Sequence, residues 1–113
     1  METIDIVKEK GDILFIKLTD SIVINNIELF EREVYSILSD KKFNIIVDIS
    51  KSEFIISQGL GILIKLNKKC KDNGGKIVIM NPNDRLKRIL KVVHMDKIID
   101  VEFNEENAIK KML

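Results

Sequence analysis

The chain has one cysteine, one proline, one histidine, one tyrosine and no tryptophan among 113 residues. A single thiol, Cys70, closes no internal disulfide, so nothing in the sequence asks for an oxidising compartment. One His and one Cys also leave no ligand spacing suited to zinc. Flexible linkers, low-complexity stretches and internal repeats are absent. No apolar run approaches the ~18 residues of a membrane span, and Met1-Glu2 opens nothing like a secretory signal. A cytoplasmic location is therefore the default expectation. Excess charge of one sign is missing too, with 19 basic residues set against 18 acidic ones. Nucleic-acid binding usually needs a basic face, so no direct contact with nucleic acid is expected. Lys65, Lys68, Lys69 and Lys71 cluster on one predicted helix, where a solvated face accounts for them.

What is present is the profile of a globular protein, 45% hydrophobic and 33% charged. The length suits a single domain over residues 1–113 with one hydrophobic core. Ile4 and Ile6 alternate within Met1–Glu9 and predict a strand. Gly11-Asp12 predicts a turn, and Ile13–Leu18 a more buried strand completing an antiparallel hairpin. Asn25, three residues before Glu28, has the spacing of a capping box. The helix after it, running to about Asp40, carries Ile27, Phe30, Val34, Ile37 and Leu38 on one face. Phe43–Ile49 is a β-branched run that predicts a central strand.

A helix from about Gln58 should stop at Asn73-Gly74-Gly75, because glycine takes positive φ cheaply. Lys76–Met80 predicts a further strand. In Asn81-Pro82-Asn83-Asp84, Asn81 reads as a cap and Pro82 as the first helical residue. The apolar face of that helix is Leu86, Ile89, Leu90 and Val93. A strand near Ile98–Phe103 and a terminal helix capped by Asn104 complete the order. Alternating strands and helices behind a hairpin define an α/β domain with a mixed, mostly parallel sheet of about four or five strands and about four helices.

Signs of catalysis are thin. His94 falls at a helix end, Cys70 on the inner side of its helix, and Asp48 and Asp84 at a strand end and a helix start. Gly59-Leu60-Gly61 lacks the remaining glycines and the Lys-Ser/Thr of a phosphate loop. No catalytic residue, metal site or bound cofactor is expected, and the chain reads as a non-enzyme.

Ser57 stands apart because of its setting in FIISQGLGILIKL, residues 54–66. It follows a short connection from a central strand and precedes a helix, at the carboxyl edge where open α/β sheets gather functional groups. Ser57 is expected to cap that helix, its oxygen accepting a backbone N–H, while remaining exposed for modification. Along the helix, Leu60, Leu63, Ile64 and Cys70 share one side, with Asn67 unexpectedly among them. Ile62 and Leu66 fall on the flank, where either a neighbouring helix covers them or they form an apolar docking patch beside Ser57.

These segments resemble the STAS domain family of bacterial anti-sigma factor antagonists over nearly the whole chain. The resemblance rests on Leu18-Thr19, IIVDIS, FIISQGLGILIKLNKKCKDNGGKIVIMNPND and RILKVVHMDKII. In such proteins the loop-to-helix motif usually reads Asp-Ser-Ser/Thr-Gly-Leu-Gly. Here it is Ile56-Ser57-Gln58-Gly59-Leu60-Gly61. Ile56 thus replaces the usual Asp and Gln58 a hydroxyl residue, while Val23 and Asp20 depart from the early-loop pattern. The resemblance implies partner switching in transcription regulation. The unmodified protein would bind an anti-sigma factor that is also a serine kinase, releasing a sigma factor. The kinase, which alone would hold ATP, would phosphorylate Ser57, and a phosphatase would reverse it. Ile56, Ser57, Gln58, Gly59, Leu60, Gly61, Ile62 and Leu66 are the expected partner-binding residues. The resemblance equally admits a non-phosphorylated STAS adaptor or sensor, for example an accessory subunit of a lipid-transport system.

Overall fold

The computed structural model describes residues 2–113. Two strands, β1 (Ile4–Lys10) and β2 (Ile13–Leu18), form the hairpin. Then come α1 (Ile27–Ser39), β3 (Asn44–Asp48), α2 (Ser57–Asp72), β4 (Lys76–Met80) and α3 (Asp84–Val92). A short 3-10 turn, Met95–Lys97, leads into β5 (Asp100–Glu102) and α4 (Glu105–Met112). The sheet order is β1-β2-β3-β4-β5, antiparallel between β1 and β2 and parallel elsewhere. The expected mixed sheet is thus observed. Of the predicted first strand, Met1 lies outside the described residues.

Side chains alternate between two unequal layers, as the two-residue strand period requires. Leu14, Ile16, Leu18, Ile45, Val47, Ile77 and Ile79 face α1, α2 and α3 in the main core. Phe15, Ile46, Val78 and Met80 point the other way, toward Ala108 and the flanking Ile109 and Met112 of α4. The register of β1 on β2 shifts between Ile6 and Lys8. Val7 is the extra residue, and the shift turns Lys8 onto the α4 side opposite Phe15. There its ammonium lies 4.8 Å from the Phe15 ring centre and 2.8 Å from Glu105.

Helix ends show where local rules yielded to long-range bonds. Asn25 does not cap α1; Asn26 is the boundary residue, and its side chain makes no cap bond. Its amide instead faces back, accepting from the Val23 N–H at 2.8 Å and donating to the Ser21 carbonyl at 2.9 Å. Nor does Asn81 cap α3. It takes a left-handed φ of 62°, and Asn83 caps by accepting from the Leu86 N–H at 2.7 Å. The Asn81 N–H donates to the Glu102 carbonyl at 2.9 Å, and the Asn83 amide is held by the Ser52 and Glu53 carbonyls, so the boundary falls past Pro82. The predicted stop of α2 holds: Gly74 has φ +82°, and the Gly75 N–H reaches back to the Cys70 carbonyl at 2.8 Å. Asn104 caps α4 as expected, at 2.8 Å from the Asn107 N–H.

Two buried polar residues are fully accounted for. Asn67 donates to the Ile98 carbonyl at 3.3 Å and accepts from the Ile77 N–H at 3.1 Å, tying α2 to β4 and the β5 approach. Glu33 of α1 accepts from the backbone N–H groups of Glu2 and Thr3 at 2.6 and 2.7 Å and from the Thr3 hydroxyl. Burial opposes ionisation of this carboxyl, but the Thr3 and Glu2 hydrogen bonds outweigh it and hold its pKa below the ordinary value. Cys70 is buried as predicted, and burial pushes its thiol up to about 11.

Candidate functional site

The connection between β3 and α2 runs over the carboxyl edge of the sheet and is held from two sides. On one side, Ile22 and Ile55 form an isolated parallel bridge. The Ile22 N–H donates to the Phe54 carbonyl, and the Ile56 N–H donates to the Ile22 carbonyl, each at 3.0 Å. The Ser21 hydroxyl oxygen accepts from the N–H groups of both Glu53 and Phe54 at 3.0 Å. The buried Ser52 hydroxyl donates to the Asp20 carbonyl at 2.8 Å. On the other side, the Asn83 amide reaches the carbonyls of Ser52 and Glu53 at 3.1 and 3.3 Å. These bonds fix the backbone that presents Ser57.

Ser57 is exposed and is the first residue of α2. It is not the cap: that position belongs to Ile56, in extended conformation (φ −66°, ψ 160°), and no side chain caps the helix. The expectation of a capping Ser57 is corrected by one residue. The physical reason is the Ile22–Ile55 bridge, which keeps the chain extended through Ile56 and allows helical dihedrals only from Ser57. The Ser57 side chain consequently lies within the first turn, near the positive end of the helix dipole, without being used to satisfy it.

The six residues of the motif do different things. Gly59 and Leu60 are buried, Ile56 and Gly61 are half-buried, and Ser57 and Gln58 are exposed. A Cβ on Gly59 would stand 2.8 Å from Cγ2 of Ile55 and 3.0 Å from Cγ2 of Ile22, so this glycine lets α2 sit on the bridge. A Cβ on Gly61 would meet nothing within 4 Å. Gly61 instead borders two depressions. One, of about 200 Å³, lies between α2 and the end of α3 and is lined by Ser57, Leu60, Ile64, Val93 and Met95. The other, of about 410 Å³, runs between α2 and α1 past Gln58, Lys65, Glu28 and Glu31.

The docking patch drawn from Ile62 and Leu66 does not exist as an exposed surface. Both are buried in the main core, Leu66 at 1% and Ile62 at 8% exposure, with Ile62 showing only an edge to the α1 groove. Helix α1 packs over this flank through Val34 and its neighbours, which is the alternative covering. The apolar groups that are exposed near the site were not singled out from the sequence. They are Ile24 and Phe54, at 71% and 38% exposure beside the Ile22–Ile55 bridge, and Val93 at 48%. Apolar spacing puts Val93 on the buried face of α3, but it follows the last helical residue and rises toward Ser57. No periodic signal marks Ile24 or Phe54, since both sit in irregular backbone.

His94 is exposed at a left-handed φ of 61°, and Asp48 is engaged by the Ser50 N–H at 2.9 Å and lies 3.8 Å from Lys17. No group of three His, Cys, Asp or Glu able to hold a metal occurs among the described residues. No helix there is long and apolar enough to cross a membrane.

Fold and edge together define a small α/β domain, with a hairpin-led mixed sheet and an accessible serine at the start of its central helix. The chain belongs to the STAS domain family, whose model matches residues 6–108. It is similar to a proposed anti-sigma factor antagonist of Thermotoga neapolitana, 26% identical over 102 residues that span 89% of this chain and 90% of that one. The crystal structure of a proposed anti-sigma factor antagonist from Thermotoga maritima superposes with a TM-score of 0.86 at 24% identity, covering 93% of this chain and 91% of that one. The Bacillus cell fate determinant SpoIIAA in its phosphorylated form shares the fold at a TM-score of 0.71 and 14% identity, covering 97% and 99%.

Proposed function

We propose that this STAS protein is an anti-sigma factor antagonist, binding an anti-sigma factor that is also a serine kinase and thereby freeing a sigma factor. The observation that carries the reading is the exposed Ser57 at the first position of α2, on a loop clamped by Ser21, Ile22 and Asn83. The partner surface is Ser57, Gln58 and Gly61, framed by Ile24, Phe54 and Val93. Gly59, Leu60, Ile62 and Leu66 support it from beneath, and Ile56 sets the helix boundary. The kinase supplies ATP and transfers phosphate to Ser57; a phosphatase restores the hydroxyl. The protein itself catalyses nothing in this cycle.

The energetics favour such a switch. Phosphate brings about −1.5 to −2 charges at neutral pH. At a helix N-terminus that charge is favourable by about 0.3–1 kcal/mol, so the fold is retained. Inside a docked interface without a counter-charge, the same group costs several kcal/mol in desolvation. Each ~1.4 kcal/mol is tenfold in affinity, so the interface term dominates and the complex dissociates.

A second reading, a non-phosphorylated STAS adaptor, draws support from one feature of the site. Ile56 places an aliphatic, half-buried side chain next to Ser57 where the family pattern has a carboxylate. Intact-mass measurement and peptide mapping after incubation with host extract and ATP separate the two. A single added phosphate at Ser57 is expected. Absence of that gain, while another STAS protein in the same extract is phosphorylated, would transfer the assignment to the adaptor. With the kinase in hand, Ser57→Asp should lower affinity at least tenfold and Ser57→Ala should preserve it; equal affinities would remove charge as the switch.

A further inference from the structure

The near-neutral total conceals a strong separation of charge. Helices α2 and α3 carry eight of the 19 Lys and Arg residues against two acids, Asp72 and Asp84, an excess of six; the rest of the chain is net −5. Both helices pack on the same face of the sheet. Of the eight cations only Lys68 forms an ion pair among the described residues, with Asp72 at 3.7 Å. The density is greatest on α3, where Arg85, Lys87, Arg88 and Lys91 are all exposed along nine residues.

The same end of the molecule exposes aliphatic side chains. Val92 is 76% exposed, Val93 48% and Ile98 47%. Arg85, Arg88 and Val92 follow at i, i+3 and i+7, one outer ridge of the helix. The left-handed His94 then turns the chain through Met95–Lys97, and Ile98 follows it exposed, with exposed Lys97 next to it. This end of the molecule thus carries exposed aliphatics bordered by Arg88, Lys91 and Lys97, with one exposed acid, Asp96, among them.

Unpaired cations alone would suit any acidic surface. Cations around exposed branched aliphatics suit a bilayer: Lys87, Arg88 and Lys91 line, with Asp84, a shallow depression of about 400 Å³ that meets anionic headgroups, while Val and Ile enter the acyl boundary. We propose that the α3 end is a docking tip for anionic membrane surface, giving this protein a peripheral, salt-sensitive lipid contact distinct from the Ser57 motif. Val93 belongs to both the tip and the depression beside Ser57. Membrane contact and partner binding therefore compete.

The test is cosedimentation of the whole chain with vesicles of phosphatidylcholine alone, and of phosphatidylcholine with equal phosphatidylglycerol, at low and physiological salt. Binding is expected only to the anionic vesicles and should fall as salt rises. Arg88→Gln and Lys91→Gln should each weaken it about fivefold, the effect of removing one cation from such a surface. Val92→Ser combined with Ile98→Ser should weaken it at unchanged net charge, while Lys10→Gln combined with Lys41→Gln, at exposed positions away from α3, should not. All four sites of the first two tests are exposed, and circular dichroism confirms that the variants fold. No binding to anionic vesicles at low salt overturns the proposal. Equal loss from the Lys10/Lys41 pair, showing diffuse charge, also overturns it. So does binding indifferent to Val92 and Ile98, which would assign the surface to an acidic macromolecule.

Discussion

Gly59 and Gly61 stand two residues apart on α2 and should respond oppositely to the same methyl group. At Gly59 the added Cβ would sit 2.8 Å from Ile55 Cγ2 and 3.0 Å from Ile22 Cγ2. Both isoleucines are buried, at 1% and 0% exposure, and their Cγ2 atoms are attached directly to Cβ. A β-branched side chain held in one rotamer has no free end to swing aside, so relief requires α2 to lift from the Ile22–Ile55 bridge. Overpacking of this kind costs about 1–3 kcal/mol. At Gly61 nothing lies within 4 Å. There Ala only removes the conformational penalty of glycine in a helix, a gain of about 1 kcal/mol. Gly59 is in the first turn, so its own gain is no larger. Gly61→Ala should therefore be more stable than the parent, and Gly59→Ala less stable than Gly61→Ala by at least about 1–3 kcal/mol. Urea unfolding monitored by circular dichroism measures both on one scale. Finding Gly59→Ala as stable as Gly61→Ala would refute the assignment of Gly59 to close packing. If the partner docks over this ridge, Gly61→Ala also weakens binding while stabilising the fold, separating the two roles of glycine in one motif.

Leu66→Ala should lose about 2–5 kcal/mol, because Leu66 is core under α1; a stable variant with weakened partner binding would return it to the surface. Asn83→Ala should cost about 0.5–2 kcal/mol through the lost cap of α3. It also frees the carbonyls of Ser52 and Glu53, so faster amide exchange in residues 52–56 is expected, and unchanged exchange would show that the Asn83 clamp does not hold this loop. Glu33 has a folded pKa below its unfolded one. Its contribution is present above the unfolded carboxyl range and is lost as pH falls through the folded value. Glu33→Gln should thus be destabilising at neutral pH and converge on the parent in acid; a deficit unchanged across that window would count against ionisation as the source.

How much of this was legible in the chain differs by element. Strands made of uninterrupted β-branched residues, such as Ile45–Val47 and Ile77–Ile79, announce burial on both faces wherever they are placed. The apolar face of α1 and the Gly74-Gly75 stop are likewise properties of spacing and of φ. Helix starts were less legible, because Asn25, Asn81 and Ser57 are each good local caps. Their neighbours Asn26, Asn83 and Ile56 occupy the boundaries because bonds to Ser21, Ser52 and Ile22 hold them there.

The amino-acid sequence by itself determined the α/β order, the hairpin, the family and the position of Ser57 at the carboxyl edge, since periodicity and glycine placement act within a few residues. Only the tertiary structure decided which groups face water around that serine. It buried Ile62 and Leu66 under α1, left Ile24, Phe54 and Val93 exposed, and gathered the cations of α2 and α3 on one side. Exposure belongs to pairs of elements packed together, and residues distant in the chain decide it.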